Sequence, residues 1–293
     1  MLVYKYAAIN DNSIMSLLNK YFYCSRPSQL NDPFDCHIPI KHDNRDEFIE
    51  KWLSINRSIP DALGENIDFP FYTVQDVKKA FNDGLFDEYV YRKMREKDTD
   101  FYHVFCVSSN GLNPMMWNNY ANSYKGMCIA YKTKDFSNEE FCCYGLKVKP
   151  IKIEKWRYFT EDDSGIYLNL REVNYSDEPS RAYNCIASQH IFVGNYNDCI
   201  GEFVWDSLHR KSVDWEHEKE FRGIFCNNHS EFDNKLYYED EVLDSITFGL
   251  YTDDAKINDI KKLVQKNYSN ASDIKFFRIT VDNSTKTLKR KSV

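Results

Sequence analysis

Short segments of alternating apolar residues recur along the whole chain, and they limit its fold more than any other feature. Such alternation is typical of half-buried β-strands. Strands are predicted at residues 2–6, 21–25, 101–109, 127–131, 144–153, 218–225, 242–250 and 274–281. Several neighbours in this series are too close in sequence for the long crossover that parallel strands require. The pattern therefore predicts a mixed α+β fold around a largely antiparallel sheet.

Helices are predicted where apolar residues recur every three or four positions between these strands. They are a short helix around residues 14–18, residues 44–56, residues 73–97, a helix from Pro114 that Gly126 ends, a pair within residues 179–210, and residues 254–266. We expect a single domain of residues 1–293, with a helical insertion at about 41–98 and a helical pair at about 179–210.

Composition narrows the class of protein. The net charge of −7 argues against an extended surface for nucleic acid, although a local basic patch is compatible with it. The chain has no apolar run long enough for a membrane span, and its first apolar residues are too few for a signal peptide. Nine cysteines without a Cys-x-x-Cys pair favour reduced, mainly buried thiols. We therefore expect a cytoplasmic protein without a metal site and without membrane contact.

Common catalytic signatures are missing from the sequence: it contains no Gly-x-Gly-x-x-Gly, P-loop, Gly-x-Ser-x-Gly or His-Glu-x-x-His motif. The densest charge pattern is instead Glu218, Glu220 and Arg222. Phe221 and Phe225 favour a strand that starts near Glu218, so all three charged side chains would share one face. We interpret this segment either as a catalytic strand or as a solvated face of the sheet.

Two other polar segments have simpler interpretations. Pro27 and Pro33 exclude a continuous helix or a central strand over residues 26–35, so we expect a tight turn there with Phe34 as its hydrophobic anchor. The roles of Asp32 and Asp35 in that turn remain open. The basic residues at the C-terminus are interpreted as a frayed, solvated tail. They are Lys286, Lys289, Arg290 and Lys291.

Spaced groups of residues distributed along the chain carry a family resemblance. The groups are Tyr4-Lys5-Tyr6, Tyr23-x-Ser25-x-Pro27 ahead of Asn31-Asp32-Pro33-Phe34-Asp35, Met116-Trp117-x-x-Tyr120-Ala121, and Trp215-x-x-Glu218-x-Glu220-x-Arg222. This set resembles an uncharacterised bacterial family that is known only as a domain of unknown function and occurs among phage-defence and mobile-element genes. The resemblance covers nearly the whole chain and implies a shared fold and an association with phage defence, such as abortive infection, but it supplies no settled activity.

The order of these groups also resembles the layout of the ADP-ribosyltransferases, which use NAD as a substrate. That resemblance implies that Lys5 replaces the basic residue of the first strand and that Ser108 is the first serine of the strand beside nicotinamide. It makes Glu220 the catalytic glutamate, with Glu218 two residues before it. The sequence departs from the pattern in two places, because Lys5 is neither arginine nor histidine and Ser108-Ser109 is not a full Ser-Thr-Ser triplet.

The implied chemistry is cleavage of the nicotinamide–ribose bond, during which the sugar acquires oxocarbenium character that a carboxylate can stabilise. The partners would be NAD and a macromolecular acceptor. The residues expected to hold NAD are Tyr4, Lys5, Ser25, Ser108, Trp117, Tyr120 and Arg222, and Tyr23 is a further candidate for ring stacking. The alternative is that Trp117 and Tyr120 belong to the core, the role we favour for Trp117, and that Arg222 pairs internally with Glu220.

Two other functions are compatible with the same residues. A metal-dependent nuclease would use Asp32, Asp35, Glu218 and Glu220 to hold magnesium. A sensor or interaction module without catalysis would use the acidic residues to bind a basic partner.

Overall fold

The structure is a computed structural model that describes residues 1–36, 40–41, 49–50, 73–85, 102–139, 142–150, 158–178, 183–184, 205–226 and 233–293. The chain divides into two compact units. The first, which we call the sheet unit, comprises Met1–Arg26, Tyr102–Tyr175 and Ser212–Val293; the second unit comprises Pro27–Phe101 and Ser176–Lys211. The two helical segments expected at 41–98 and 179–210 both belong to the second unit.

Strands dominate the described residues. In chain order they are β1 (Leu2–Ala7), β2 (Tyr21–Tyr23), β3 (Ile40–Lys41), β4 (Tyr102–Ser108), β5 (Met127–Lys132), β6 (Lys134–Glu139), β7 (Cys142–Val148), β8 (Phe159–Asp162), β9 (Gly165–Glu172), β10 (Asn174–Tyr175), β11 (Tyr183–Asn184), β12 (Arg210–Lys211), β13 (Glu220–Cys226), β14 (Lys235–Tyr237), β15 (Leu243–Phe248), β16 (Lys275–Asp282) and β17 (Thr287–Ser292).

One eleven-stranded sheet organises the sheet unit. Its order is β17-β16-β15-β5-β1-β4-β13-β9-β7-β6, with β8 paired to β9. Neighbouring strands in it are antiparallel, except that β15 and β16 run parallel. The expectation of a mixed α+β fold with a largely antiparallel sheet is confirmed.

Four helices have defined bounds within the described part of the chain: α1 (Asp11–Asn19), α2 (Val74–Asn82), α3 (Pro114–Asn119) and α4 (Asp254–Asn267). The predicted capping box of α2 is present, since Thr73 and Asp76 exchange side-chain to main-chain hydrogen bonds. Helix α4 connects the parallel strands β15 and β16, as a crossover requires. No helix among the described residues is long and apolar enough to cross a membrane.

Helix α3 ends earlier than expected. We predicted a stop at Gly126, but the helix ends at Asn119. The reason is a left-handed turn in which Asn122, Ser123 and Tyr124 all have positive φ (48°, 51° and 65°). This conformation is costly for residues other than glycine. Main-chain hydrogen bonds hold it, among them one from the Tyr251 amide to the Tyr124 carbonyl at 2.9 Å.

Other predicted helices lie largely outside the described residues. This applies to most of 44–56, to residues 86–97 and to most of 179–210; residues 49–50 and 205–209 are helical as predicted. Tyr183–Asn184, however, form strand β11 and pair in parallel with β3. The helix prediction is wrong at these two residues, because a partner strand supplies the main-chain hydrogen bonds there.

The C-terminal residues do not form a tail. Thr287–Ser292 is strand β17 at the edge of the large sheet, and it pairs with β16 over six positions from Phe277–Ser292 to Asp282–Thr287. Our expectation of a frayed segment was wrong because Leu288 and Arg290 alternate with the exposed Lys289 and Lys291, a strand pattern that the charges obscured.

The central strands carry two different faces. Tyr4 lies opposite Ser108, and Ser108 lies opposite Glu220, so these three side chains project to one face, which we call the site face. Residues at the alternate positions build the main core on the opposite, core face. Among them are Val3, Phe105, Val107, Ile129, Phe221 and Phe225. A smaller cluster on the site face surrounds Trp117.

Candidate functional site

The site face is built around the end of strand β4. Ser108, the last residue of β4, is in register with Tyr4 of β1 on one side and with Glu220 of β13 on the other. Four residues earlier in β4, Val104 exchanges main-chain hydrogen bonds of 2.9 and 2.8 Å with Ser25. Ser25 and Tyr4 therefore pair with different residues of β4, Ser25 with Val104 and Tyr4 with Ser108. The sequence predicted this row of strands, but their order across the sheet comes from the structure.

Glu218 does not lie on the strand. It is the last residue of a short 3₁₀ helix, Val213–Glu218, and Lys219 then adopts a positive φ of 46° before β13 begins at Glu220. Our prediction of a strand from about Glu218 was wrong by two residues, because the left-handed Lys219 breaks the alternation there. Glu218, Glu220 and Arg222 therefore do not form one strand face.

Hydrogen bonds to its side chain and to its main chain fix the position of Glu218. Its side chain is only 3% exposed, and its Oε1 accepts a hydrogen bond of 2.5 Å from the Tyr120 hydroxyl. Its carbonyl oxygen accepts a hydrogen bond of 2.6 Å from Ser108 Oγ. A carboxylate buried in this way needs such donors, because burial penalises the charged form.

The turn around Glu218 is also attached to the segment between β4 and α3. The amide of Ser109 donates to the Lys219 carbonyl at 2.9 Å, and the side chain of Asn113, which caps α3, donates to the His217 carbonyl. One main-chain and one side-chain contact therefore hold the Glu218 turn against the N-terminal end of α3.

Glu220 and Arg222 form a buried ion pair. Arg222 Nε lies 2.8 Å from Glu220 Oε1, and Nη2 lies 3.1 Å from Oε2, so the contact is bidentate. The two residues are 4% and 0% exposed. Internal pairing of Arg222 with Glu220, the alternative that the sequence left open, is what the structure contains.

The thiol of Cys106 lies beside the Glu220–Arg222 ion pair. Burial, followed by the negative charge of Glu220, raises the pKa of Cys106 above its usual range. The thiol is therefore neutral at physiological pH. Those cysteines whose side chains the structure describes are free thiols, as expected.

Lys5 lies on the core face. Its neighbour Tyr4 is on the site face, and alternate residues of a strand project to opposite sides. The Lys5 ammonium group donates to the Cys106 carbonyl at 2.9 Å and lies 5.2 Å from the centre of the Phe105 ring. The structure therefore does not bring Lys5 together with Glu220, and Lys5 is not the basic residue of this site.

The aromatic candidates separate into two groups. Trp117 is fully buried; it packs edge-on against Tyr6 with ring centres 5.3 Å apart, and its Nε1 donates to the Gly111 carbonyl. Trp117 is thus a core residue, as favoured. Tyr4 and Tyr120 are half-buried on the side of the Glu218 turn, whereas Tyr23 is exposed in the two-stranded sheet that β2 forms with β14.

A basic residue that the sequence interpretation missed lies beside Tyr4. The guanidinium of Arg290, in β17, lies over the Tyr4 ring at 5.2 Å from its centre, and Nη2 donates to the Tyr4 hydroxyl at 3.2 Å. The alternation of Leu288 and Arg290 within the basic C-terminus was the signal that could have revealed it.

Asp32 and Asp35 belong to the second unit. Asp32 Oδ1 accepts from the Phe34 amide at 2.9 Å, as expected for a turn, and the Asp35 carboxylate lies 3.6 Å from the ammonium group of Lys211. The predicted anchor role of Phe34 is wrong, because the residue is 79% exposed. No cluster of three or more potential metal ligands occurs within the described residues, and the nuclease alternative stays untested.

Comparison with protein families supports the first of the two resemblances. Residues 116–223, a little over a third of the chain, match a family described as Protein of unknown function (DUF2971). The chain is similar to this uncharacterised family over that segment. The segment contains Tyr120, Glu218, Glu220 and Arg222, but it does not reach Tyr4 or Ser108. No curated protein and no solved structure matches the chain.

Proposed function

We propose that the protein is an NAD-dependent ADP-ribosyltransferase or NAD glycohydrolase that acts as a toxin or phage-defence effector. The observation that carries this proposal is the arrangement of Glu218. Its carboxylate is bonded to Tyr120, its main chain is bonded to Ser108, and Ser108 lies in a row with Tyr4 and Glu220. A buried carboxylate beside serine and tyrosine is suited to a sugar substrate, whose developing positive charge it can stabilise.

The geometry favours a different division of roles from the one that the resemblance implied. Both oxygens of Glu220 are held by Arg222, so Glu220 serves as a positioning residue that fixes the start of β13. Glu218 is bonded to a neutral hydroxyl, which a ribose hydroxyl can replace or join. We therefore assign contact with the substrate ribose to Glu218.

The reaction divides into bond cleavage and capture of the sugar. The bond between the nicotinamide nitrogen and ribose C1′ breaks, and its electron pair leaves with neutral nicotinamide. Glu218 stabilises the positive charge that develops on the ribose. Water or an acceptor group then bonds to C1′ and loses its proton to solvent. Tyr4 and Tyr120 supply ring surfaces for the substrate, whereas the buried Trp117 and Arg222 support the site from within.

The test measures NAD turnover by the purified protein, with the release of nicotinamide as the readout. We expect Glu218→Gln to lower the turnover rate by about 100-fold or more, as is common when a group that stabilises the transition state is removed. The matched control is Glu216→Gln, in the same 3₁₀ helix, because Glu216 is exposed and pairs only weakly with Lys219.

Equal turnover by wild type and Glu218→Gln would contradict the role of Glu218. Absence of nicotinamide release and of ADP-ribose transfer by the wild-type protein, tested with protein, RNA and DNA acceptors, would overturn the proposed function itself.

A further inference from the structure

We propose that Arg290 and Tyr4 form a binding subsite for the phosphate groups of the nucleotide. This inference rests on the proposed function for the identity of the nucleotide, but its observations are independent of Glu218. Arg290 comes from the last strand, β17, and Tyr4 comes from the first, β1. The subsite would therefore form only when the two ends of the chain are folded together.

The guanidinium of Arg290 is held in a defined orientation. It lies over the ring of Tyr4, 5.2 Å from its centre, and 5.9 Å from the centre of the Phe277 ring. One of its nitrogens donates to the Tyr4 hydroxyl at 3.2 Å. Stacking of this kind leaves the planar edge of an arginine available for the bidentate contacts that phosphate oxygens accept.

The charge of Arg290 is not neutralised within the part of the chain that the structure describes. None of the ion pairs there involves Arg290, and Asp282, an acidic residue of the same hairpin, pairs with Lys289. Arg290 is also only half-exposed. A partly desolvated guanidinium without a carboxylate attracts anions more strongly than a solvated one does.

The absence of a side chain at Gly111 lets Tyr4 and Arg290 pack closely against the main chain. A side chain at Gly111 would meet the Tyr4 ring at 2.6 Å and Arg290 Nη2 at 3.1 Å. Any residue larger than glycine would therefore displace the two side chains that form the subsite.

The subsite lies on the same side of the sheet as Ser108 and Glu220, which border the Glu218 turn. Tyr4 is the direct neighbour of Ser108, which is the direct neighbour of Glu220. Adjacent strands are about 4.8 Å apart, so the main chain at Tyr4 lies about 10 Å from that at Glu220. Arg290 thus supplies a positive charge on the face where Lys5 cannot.

The experiment measures binding of ADP-ribose and of nicotinamide riboside by calorimetry. ADP-ribose has the phosphates but no nicotinamide bond to cleave, and nicotinamide riboside has no phosphate. We expect Arg290→Gln to weaken binding of ADP-ribose by at least about tenfold, because a charged hydrogen bond is lost. Binding of nicotinamide riboside should not change.

Lys291→Gln is the matched control, since it removes the same charge from the next residue of β17, whose side chain is exposed on the opposite face. Thermal unfolding of each variant separates a binding defect from a folding defect, and Arg290→Lys should restore part of the affinity if the charge is what matters.

Equal binding of ADP-ribose by wild type and Arg290→Gln would overturn the subsite, even if the protein cleaves NAD, and so would a wild-type protein that does not bind ADP-ribose. Binding that depends on Arg290 in a protein that does not cleave NAD would support the subsite and contradict the proposed function.

Discussion

The Tyr120 hydroxyl donates a 2.5 Å hydrogen bond to the carboxylate of Glu218, which lies 98 residues further along the chain. Tyr120 directly follows helix α3, and Glu218 ends the 3₁₀ helix before β13. The contact therefore joins two segments that are far apart in sequence, and both lie within the stretch that matches the uncharacterised family. Because of this hydrogen bond, the position of Glu218 depends on the main-chain conformation at Tyr120, after α3.

Tyr120→Phe removes this hydrogen bond and leaves the ring in place. We expect the free energy of unfolding to fall by about 1–2 kcal/mol, because the acceptor is a buried carboxylate. Under the proposed function, NAD turnover should also fall by about tenfold, which corresponds to a similar free energy. Tyr124→Phe is the control, since that hydroxyl donates to the Pro114 carbonyl at an exposed position. The role of Tyr120 would be disproved if both variants behaved like wild type.

Arg222→Leu should be strongly destabilising. It leaves the carboxylate of Glu220 buried without its bidentate partner, and such a change typically costs about 3–5 kcal/mol. The double variant Glu220→Gln/Arg222→Leu should recover part of this loss, because neither residue of the pair then carries a buried charge. Urea unfolding of both variants measures the difference. If the double variant is no more stable than Arg222→Leu, the ion pair is not the cause of the loss.

Gly249→Ala should disrupt the turn after α3. A Cβ atom at Gly249 would lie 2.0 Å from the carbonyl oxygen of Tyr124, a main-chain atom held in the left-handed turn. We expect the free energy of unfolding to fall by more than about 2 kcal/mol, measured by urea titration. Ser123→Gly, within the same turn, should instead be neutral or stabilising by about 1 kcal/mol, because glycine tolerates its positive φ. A neutral Gly249→Ala would show that the turn can move.

Asp240 should make the stability of the sheet unit depend on pH. Burial tends to raise the pKa of Asp240, but hydrogen bonds from Lys20 and Ser269 outweigh it, and the pKa is lowered. A depressed carboxyl pKa contributes stability above the pKa of the unfolded state, about 4, and this stability is lost as pH falls.

The corresponding variant is Asp240→Asn. It should be less stable than wild type at pH 7 by about 1–2 kcal/mol, and the difference should shrink toward pH 3. Urea titrations at pH 7, 5 and 3 measure this. Asp259→Asn, on the exposed side of α4, should show little difference at any of these values. A difference between Asp240→Asn and wild type that stays constant with pH would contradict the contribution of the carboxyl group.

Local patterns in the sequence were sufficient for much of the fold. Apolar alternation predicted the central strands, and the Thr73–Asp76 pair predicted the start of α2. These predictions succeed because strand and cap propensities depend on residues only a few positions apart. They failed where a distant partner decided the conformation, as at Tyr183–Asn184 in β11 and at the left-handed turn after α3.

The candidate site depended more strongly on contacts between distant segments. Residue types pointed to Glu218 and Glu220, and the sequence alone established that Tyr4 and Lys5 would lie on opposite faces if β1 formed. Only strand register decided which of these two residues joins Glu220, because a shift by one position exchanges the faces of a strand. Folding likewise decided that Arg290, near the C-terminus, reaches Tyr4, near the N-terminus, since that contact requires five strands to assemble in order.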